Sequence, residues 1–215
     1  MTKPLLQGLQ RVLIHARYPT AIKKTRSEEF AEASMAHLRP LIDGKVVAAV
    51  GNAQSIFGSG LGPDIDACDT VLRFNLGFIR QPEDQGSRSD IVGVSGRLSP
   101  KSIYAGFPGA RVWWLTARRE MMGSGFLRRI DEIAITPRDS YTRLRQALGS
   151  NPSSGLIALA ALLELFTPTK VIVFGFDWKQ TPTFYPAKTG HHNWQGEREM
   201  VARLAAEGRV ELRTA

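Results

Sequence analysis

Cysteine is almost missing from this chain: Cys68 stands alone among 215 residues. One thiol closes no internal disulfide, and nothing near it completes a metal-ligand spacing. It reads as a buried or half-buried structural thiol and fits a reducing compartment. Long apolar runs are missing too. None approaches the roughly 18 residues that span a bilayer. The first 17 residues carry Lys3 and Arg11 but no continuous apolar core and no small-residue cleavage site, so no secretory signal is read. The expected location is the cytoplasm. Heptads, solenoid-period repeats and low-complexity tracts are all lacking. Although Lys and Arg number 28 against 20 Asp and Glu, giving +8, no solid basic block exists. Two loose clusters stand out, Lys23-Lys24-x-Arg26 and the arginines from Arg111 through Arg145. This charge suits nucleotide phosphates, an anionic membrane surface or nucleic acid. With no aromatic-basic signature of the RNP kind, nucleic acid is not an expected partner.

What is present reads as one soluble domain. The length suffices for a real core, and 43% hydrophobic with 22% charged residues is ordinary for a globular chain. Leu5, Leu6, Leu9, Val12, Leu13 and Ile14 are spaced for a short amphipathic helix. Residues 27–38 predict a second helix, with Ser27 as N-cap, acids in the first turn and Arg39-Pro40 at its end. Continuous apolar runs predict buried strands at Lys45–Val50, 70–75, Asp90–Val94, Ala110–Thr116 and Lys170–Phe174, with a last one at Arg209–Leu212. Helices are expected at Arg118–Ile130, Arg138–Leu148, from Ser153 or Ser154 to about Phe166, and at Glu197–Glu207. This alternation predicts an α/β fold, a mostly parallel central sheet with helices on both faces. Residues 1–44 form an N-terminal helical segment in this reading, and 45–215 the main domain. Ligands of such folds bind beyond the carboxyl ends of the strands. Attention therefore falls on the loops after Val50, Asn75, Asn151 and Phe174.

The loop Gly51-Asn52-Ala53-Gln54-Ser55 is neither a Walker loop nor a G-x-G-x-x-G fingerprint. Its small residues fit a phosphate cradle or a plain connection equally well. Arg73 and Asn75 stand two apart on a predicted strand and so share one face; an internal ion pair of Arg73 with Asp69 or Asp90 competes with a ligand role. Ser153-Ser154-Gly155 opens a strongly apolar helix, where hydroxyls and free amides suit an anion or serve as an ordinary cap. Gly175-Phe176 follows a strand and can present backbone and ring to a base. Tyr185, then His191-His192, lie in a loop bearing Gly, Pro and aromatics. Adjacent histidines rarely share one metal ion and no Cys or Asp completes a ligand set, so no metal is expected. A general-base role suits a histidine.

Taken together and in order, these segments resemble the animal-type sialyltransferases, glycosyltransferase family 29. Val50-Gly51-Asn52 through Asp69-x-Val71-x-Arg73-x-Asn75 to Gly86-Ser87-Arg88 resembles the family's large motif. Pro152-Ser153-Ser154-Gly155 through Val173-Phe174-Gly175-Phe176 resembles its small motif. Tyr185 stands at the third motif, and His192-x-x-x-x-Glu197 is similar to the very small one. The resemblance spans about residues 45–200. It implies a Rossmann-like GT-A-variant fold and an inverting, metal-independent transfer of sialic acid, or a related keto sugar acid such as Kdo, from its CMP ester to a glycan hydroxyl. By the same resemblance His192 is the catalytic base, and Asn52, Ala53, Asn75, Ser153, Ser154, Gly155, Gly175, Phe176 and Tyr185 bind the donor. Glu197 and Arg73 are supporting residues. No cofactor is implied beyond the donor itself.

Departures from the family are equally informative. Animal members have a disulfide joining the large and small motifs and an N-terminal membrane anchor; neither is read here. Both departures fit a bacterial cytoplasmic enzyme acting on a glycan or glycolipid, with a peripheral inner-membrane contact through the basic N-terminus. Two rival readings follow from the residues alone: a non-catalytic nucleotide- or nucleic-acid-binding protein, and a CMP-sugar hydrolase in which His192 activates water.

Overall fold

The computed structural model describes residues 17–185 and 192–213; the amphipathic run from Leu5 to Ile14 lies outside them. Seven strands form one sheet: β1 (Val46–Val50), β2 (Thr70–Phe74), β3 (Ile91–Val94), β4 (Arg111–Trp114), β5 (Ala134–Ile135), β6 (Lys170–Phe174) and β7 (Glu211–Arg213). Every pairing is parallel, in the order β5-β4-β3-β2-β1-β6-β7. Helices of seven residues or more are α1 (Pro19–Arg26), α2 (Glu28–Ser34), α3 (Pro100–Gly106), α4 (Arg138–Leu148), α5 (Ser154–Leu165) and α6 (Trp194–Ala206).

The strands lack polar alternation because both faces of the sheet are covered. In β1, Val47 and Ala49 point into one core with Val171 and Val173 of β6, while Ala48 and Val50 point into another with Ile172 and Phe174. The first core takes its cover from α4, α5, α6 and from Met35, Leu38 and Ile42. The outer half of the opposite face carries Val92, Val94, Val112 and Trp114, covered by Ala21 of α1, Ala31 of α2, Ile103 of α3 and Phe126. α5 is apolar along most of its length for the same reason. Gly155 through Leu159 are all buried, as befits a helix covered all round. α4 instead buries one stripe, Ser140, Leu144 and Leu148, and stops where Gly149 takes φ +68°.

The expected helix from Arg118 to Ile130 is not formed. Three single turns replace it, Arg119–Met121, Ser124–Leu127 and Ile130–Glu132. Gly123 and Gly125 fall within this run, and Pro100 lies against both. Arg119 is drawn out of any helix by buried partners: it donates to the carbonyls of Thr25 (3.0 Å) and Thr136 (3.0 Å) and to Glu28 (2.8 Å). The helix expected at 27–38 has its Ser27 cap, which accepts from Phe30 N at 3.0 Å. It ends at Ser34, and Arg39-Pro40 begins a further short helix rather than closing this one.

Topology locates the cleft. From β1 the chain steps outward through β2, β3, β4 and β5, then crosses back to place β6 on the other side of β1. Loops leaving β1 and β6 therefore head to different sides of the sheet and leave a crevice at its carboxyl edge.

Arg73 does not face this crevice. The pairing of Arg73 with Asn75 on one face fails because Asn75 turns to φ +54°, which ends the extended alternation. Arg73 is fully buried and braces the 85–89 loop, donating to the carbonyls of Gln85 (2.7 Å) and Arg88 (2.9 Å) and to Ser89 Oγ (2.8 Å). Nor does it form the ion pair with Asp69 or Asp90; those carboxylates accept from Val46 N and Val71 N, each at 2.8 Å. Burial pulls the guanidinium pKa down to about 10, against the opposing pull of Asp66 and Asp90. Removing it strands several buried carbonyls. Arg73→Ala is expected to lower the unfolding free energy by about 3 kcal/mol, read as a lower urea midpoint.

Candidate active site

Two glycines let the crevice close to ligand width. Gly51 N donates to Phe174 O at 2.7 Å, and a Cβ on Gly51 would overlap the Gly175 carbonyl. A Cβ on Gly155 would overlap the Phe176 ring, which lies over the start of α5 and edge-on to Phe74 (5.9 Å, 81°). Gly175 itself sits at φ +63°, a conformation glycine takes without penalty. These contacts bring the ends of β1, β2 and β6 and the head of α5 around one cavity of about 190 Å³.

Asn52 and Asn75 occupy the floor of the cavity with their polar groups already committed. Asn52 Nδ2 donates to Phe74 O (2.9 Å) and to Tyr185 Oη (3.1 Å). A carbonyl only accepts, so the amide nitrogen must face it, and Oδ1 lies against Gly77, where a Cβ would overlap it. Asn75 Oδ1 accepts from Ser95 N (2.9 Å) and Ser95 Oγ (3.1 Å), while Nδ2 donates to Ser154 Oγ (3.2 Å). Ser95 Oγ and Ser154 Oγ are 2.7 Å apart, so strands β2 and β3 and helix α5 are tied at one point. Burial raises the Tyr185 phenol pKa, with the Asn52 bond opposing. The ring thus stays neutral near pH 7.

The two serines divide their work. Ser153 is the cap of α5, accepting from Leu156 N at 3.3 Å, and also meets Glu197. The Glu197 carboxylate accepts from Ser153 N (2.8 Å) and Ser153 Oγ (2.6 Å). Glu197 is itself buried; desolvation raises its pKa, while the Ser153 bonds and the His192 charge pull it down. His192 is oriented by another group, Asn151 O, at 2.8 Å from Nδ1. Since the carbonyl can only accept, Nδ1 carries the proton and Nε2 keeps its lone pair. His192 packs edge-on to Trp194 (4.9 Å, 61°). His191 lies outside the described residues.

His192, Glu197, Asn52, Ala53, Asn75, Ser153, Ser154, Gly155, Gly175, Phe176 and Tyr185 all line this one cavity, and Arg73 does not. Sequence reasoning passed over Ser95, Asp177, Trp178, Lys179, Thr183 and Trp194. Ser95 follows β3 as Asn75 follows β2, so the same rule about carboxyl ends of strands points to it. Lys179 and Trp194 enter through long-range folding that no local pattern announces. Among the described residues, no three of His, Cys, Asp and Glu stand together as a metal site, and no helix is long and apolar enough to cross a membrane.

Comparison with known proteins follows the geometry. Residues 20–122 match the model of glycosyltransferase family 29 (sialyltransferase), a span that runs from α1 through β4 and ends before α5. No curated protein matches the chain. Among solved structures, the fold is similar to that of a mammalian sialyltransferase, with TM-score 0.60, 16% identity and coverage of 91% of this chain and 85% of that one. It is also similar to a mammalian sialyltransferase in complex with Gal-beta-1-3GalNAc-ortho-nitrophenol, with TM-score 0.57, 16% identity and coverage of 92% and 85%. Over residues 20–122 the chain is thus similar to glycosyltransferase family 29 (sialyltransferase), and its fold is similar to that of the sialyltransferases.

Proposed function

We propose that the chain transfers sialic acid, or a related keto sugar acid such as Kdo, from its CMP ester to a glycan hydroxyl, with inversion and without a metal. The observation that carries this reading is His192: its Nδ1–H is held by Asn151 O, which leaves Nε2 as a free base in a cavity at the carboxyl ends of β1, β2 and β6. In this reading the donor phosphate meets the Ser154 hydroxyl and the free amides that open α5, where uncharged donors and the helix dipole favour an anion. The cytosine stacks near Gly175 and Phe176. Asn52 and Asn75 line the side of the phosphate and ribose, and the Tyr185 hydroxyl meets the leaving phosphate.

The step balances without an external reagent. The acceptor oxygen bonds to the anomeric carbon as the bond from that carbon to the phosphate oxygen breaks. The electron pair leaves on CMP, and the acceptor proton goes to His192 Nε2. Donors fixed at the phosphate stabilise the charge that develops there. The imidazolium so formed is stabilised by Glu197, whose carboxylate the Ser153 bonds hold in place. A glycan acceptor is supported by the likeness to a sialyltransferase solved with a disaccharide glycoside. The acceptor belongs to a glycan or glycolipid, and the net charge of +8 supports a cytoplasmic enzyme working beside an anionic membrane.

Incubation with CMP-sialic acid and with CMP-Kdo, in EDTA and with and without glycan acceptors, tests the assignment. Donor consumption that needs an acceptor and survives EDTA is the expected result; consumption without acceptor would make the chain a hydrolase instead. His192→Ala should keep CMP binding and lose about 10²–10⁴-fold in transfer rate. Full activity in that variant would remove His192 as the base.

Glu197 makes a second, independent prediction. Its carboxyl pKa is raised by burial from the ordinary 4.5. A group raised on folding contributes stability that is fully present below its unfolded pKa and is lost as pH climbs through the folded one. Glu197→Gln removes that loss. The variant's unfolding free energy relative to the natural chain should therefore be more favourable at pH 8 than at pH 4, as read by urea melts at both.

A further inference from the structure

One charged side chain in the cavity has no part in the reaction just described. After β6 the chain runs Gly175-Phe176-Asp177-Trp178-Lys179-Gln180-Thr181. Trp178 (φ +50°) and Lys179 (φ +68°) both take the left-handed conformation, which L side chains hold only where their surroundings fix them. Asp177 does the fixing. Its Oδ1 accepts from Lys179 N (3.0 Å), and its Oδ2 accepts from Thr181 N (2.8 Å), from Ser55 Oγ (3.2 Å) and from the Thr181 hydroxyl. With its acceptor capacity so engaged, Asp177 anchors the turn rather than meeting a ligand. What the turn achieves is to put Trp178 and Lys179 on the cavity wall.

Among the described residues lining the cavity, Lys179 carries the only permanent positive charge. Its Nζ lies 5.8 Å from the centroid of the Trp194 ring, and Trp194 in turn meets His192 edge-on. Lys179 thus stands one ring away from the base. It forms no ion pair with either acid of the cavity: Asp177 is occupied by its turn, and Glu197 by Ser153.

We propose that Lys179 is the residue that selects a sugar acid over a neutral sugar, by binding the carboxylate of the donor; this rests on the CMP-sugar reading above. The chemistry of the substrate class sets where such a group must be. In a 2-keto sugar acid the carboxylate is bonded to the anomeric carbon, the atom the acceptor oxygen attacks. Any group that binds it must lie near the base acting at that carbon, and Lys179 faces the same Trp194 ring that His192 meets. In the reading above the phosphate is served by uncharged donors at the head of α5. A neutral sugar would leave the ammonium facing no anion in a partly dehydrated cavity, so the selection acts by penalty as well as by attraction. The ring of Trp194 favours the cation at this position before any donor arrives.

Calorimetric titration of CMP and of CMP-sialic acid, without acceptor, into the natural chain, Lys179→Met and Lys179→Arg tests the assignment. Lys179→Met is expected to weaken CMP-sialic acid by about tenfold or more, the scale of a charge-assisted hydrogen bond, and to change CMP by less than about twofold on the same grounds. Lys179→Arg should retain most of the donor affinity. Equal weakening of both ligands would assign Lys179 to the phosphate and overturn the proposal. No weakening of either would overturn it as well. Thermal melts of the two variants that match the natural chain exclude a folding defect as the cause of any loss. If the natural chain binds neither ligand, the CMP-sugar reading itself falls, an outcome visible before any variant is made.

Discussion

The close approach of two strand ends governs this molecule. β1 and β6 run in parallel register up to Val50 and Phe174, and Gly51 N then donates to Phe174 O at 2.7 Å. No side chain fits between Gly51 and Gly175. The chain departs in different directions immediately after this contact, so the tightest point of the sheet is also the bottom of the cavity. Every group the proposed reaction uses is placed relative to that contact. Asn52 is the next residue after Gly51, Phe176 the next after Gly175, and the Phe176 ring sets how near α5 can come.

Asn52 and Tyr185 illustrate how the cavity is built from groups that first satisfy one another. Burying an amide or a phenol without a partner is costly, and each of the two answers the other's need across 133 residues of chain. Asn75, Ser95 and Ser154 form a second such set, and Ser153 with Glu197 a third. A polar network satisfied before any ligand arrives keeps its shape. The atoms left over, His192 Nε2 among them, are few and fixed in direction.

Much of this was legible in the sequence where local rules operate. Val46–Val50 and Lys170–Phe174 read as buried strands because their apolar residues do not alternate, and the helix at Arg138–Leu148 shows its stripe at i, i+4 and i+8. Ser153 announces itself as a cap, and the spacing of His192 to Glu197 places both near one helix start. Long-range competition hid the rest. The run at Arg118–Ile130 has helical composition, yet Arg119 finds buried partners in Thr25, Thr136 and Glu28 that a helix would forgo. β5 has only two residues, too few for a pattern. Arg73 reads as a supporting residue or as half of an internal ion pair, because an arginine on a buried strand demands partners; the partners are carbonyls and a serine hydroxyl of a loop 12 to 16 residues away. The Trp178-Lys179 turn depends on Asp177 reaching both forward to Thr181 and back to Ser55, a geometry no dipeptide statistic contains.

The bond from Ser153 to Glu197 joins residues 44 apart, and Asn151 to His192 joins residues 41 apart. Both close only after α6 has docked on a sheet whose central strand was laid down far earlier in the chain. Contacts so distant in sequence form late in folding, since their loop entropy is recovered last. A chain in which α6 had not yet docked would lack an oriented imidazole. Orientation of His192 therefore depends on completion of the whole domain.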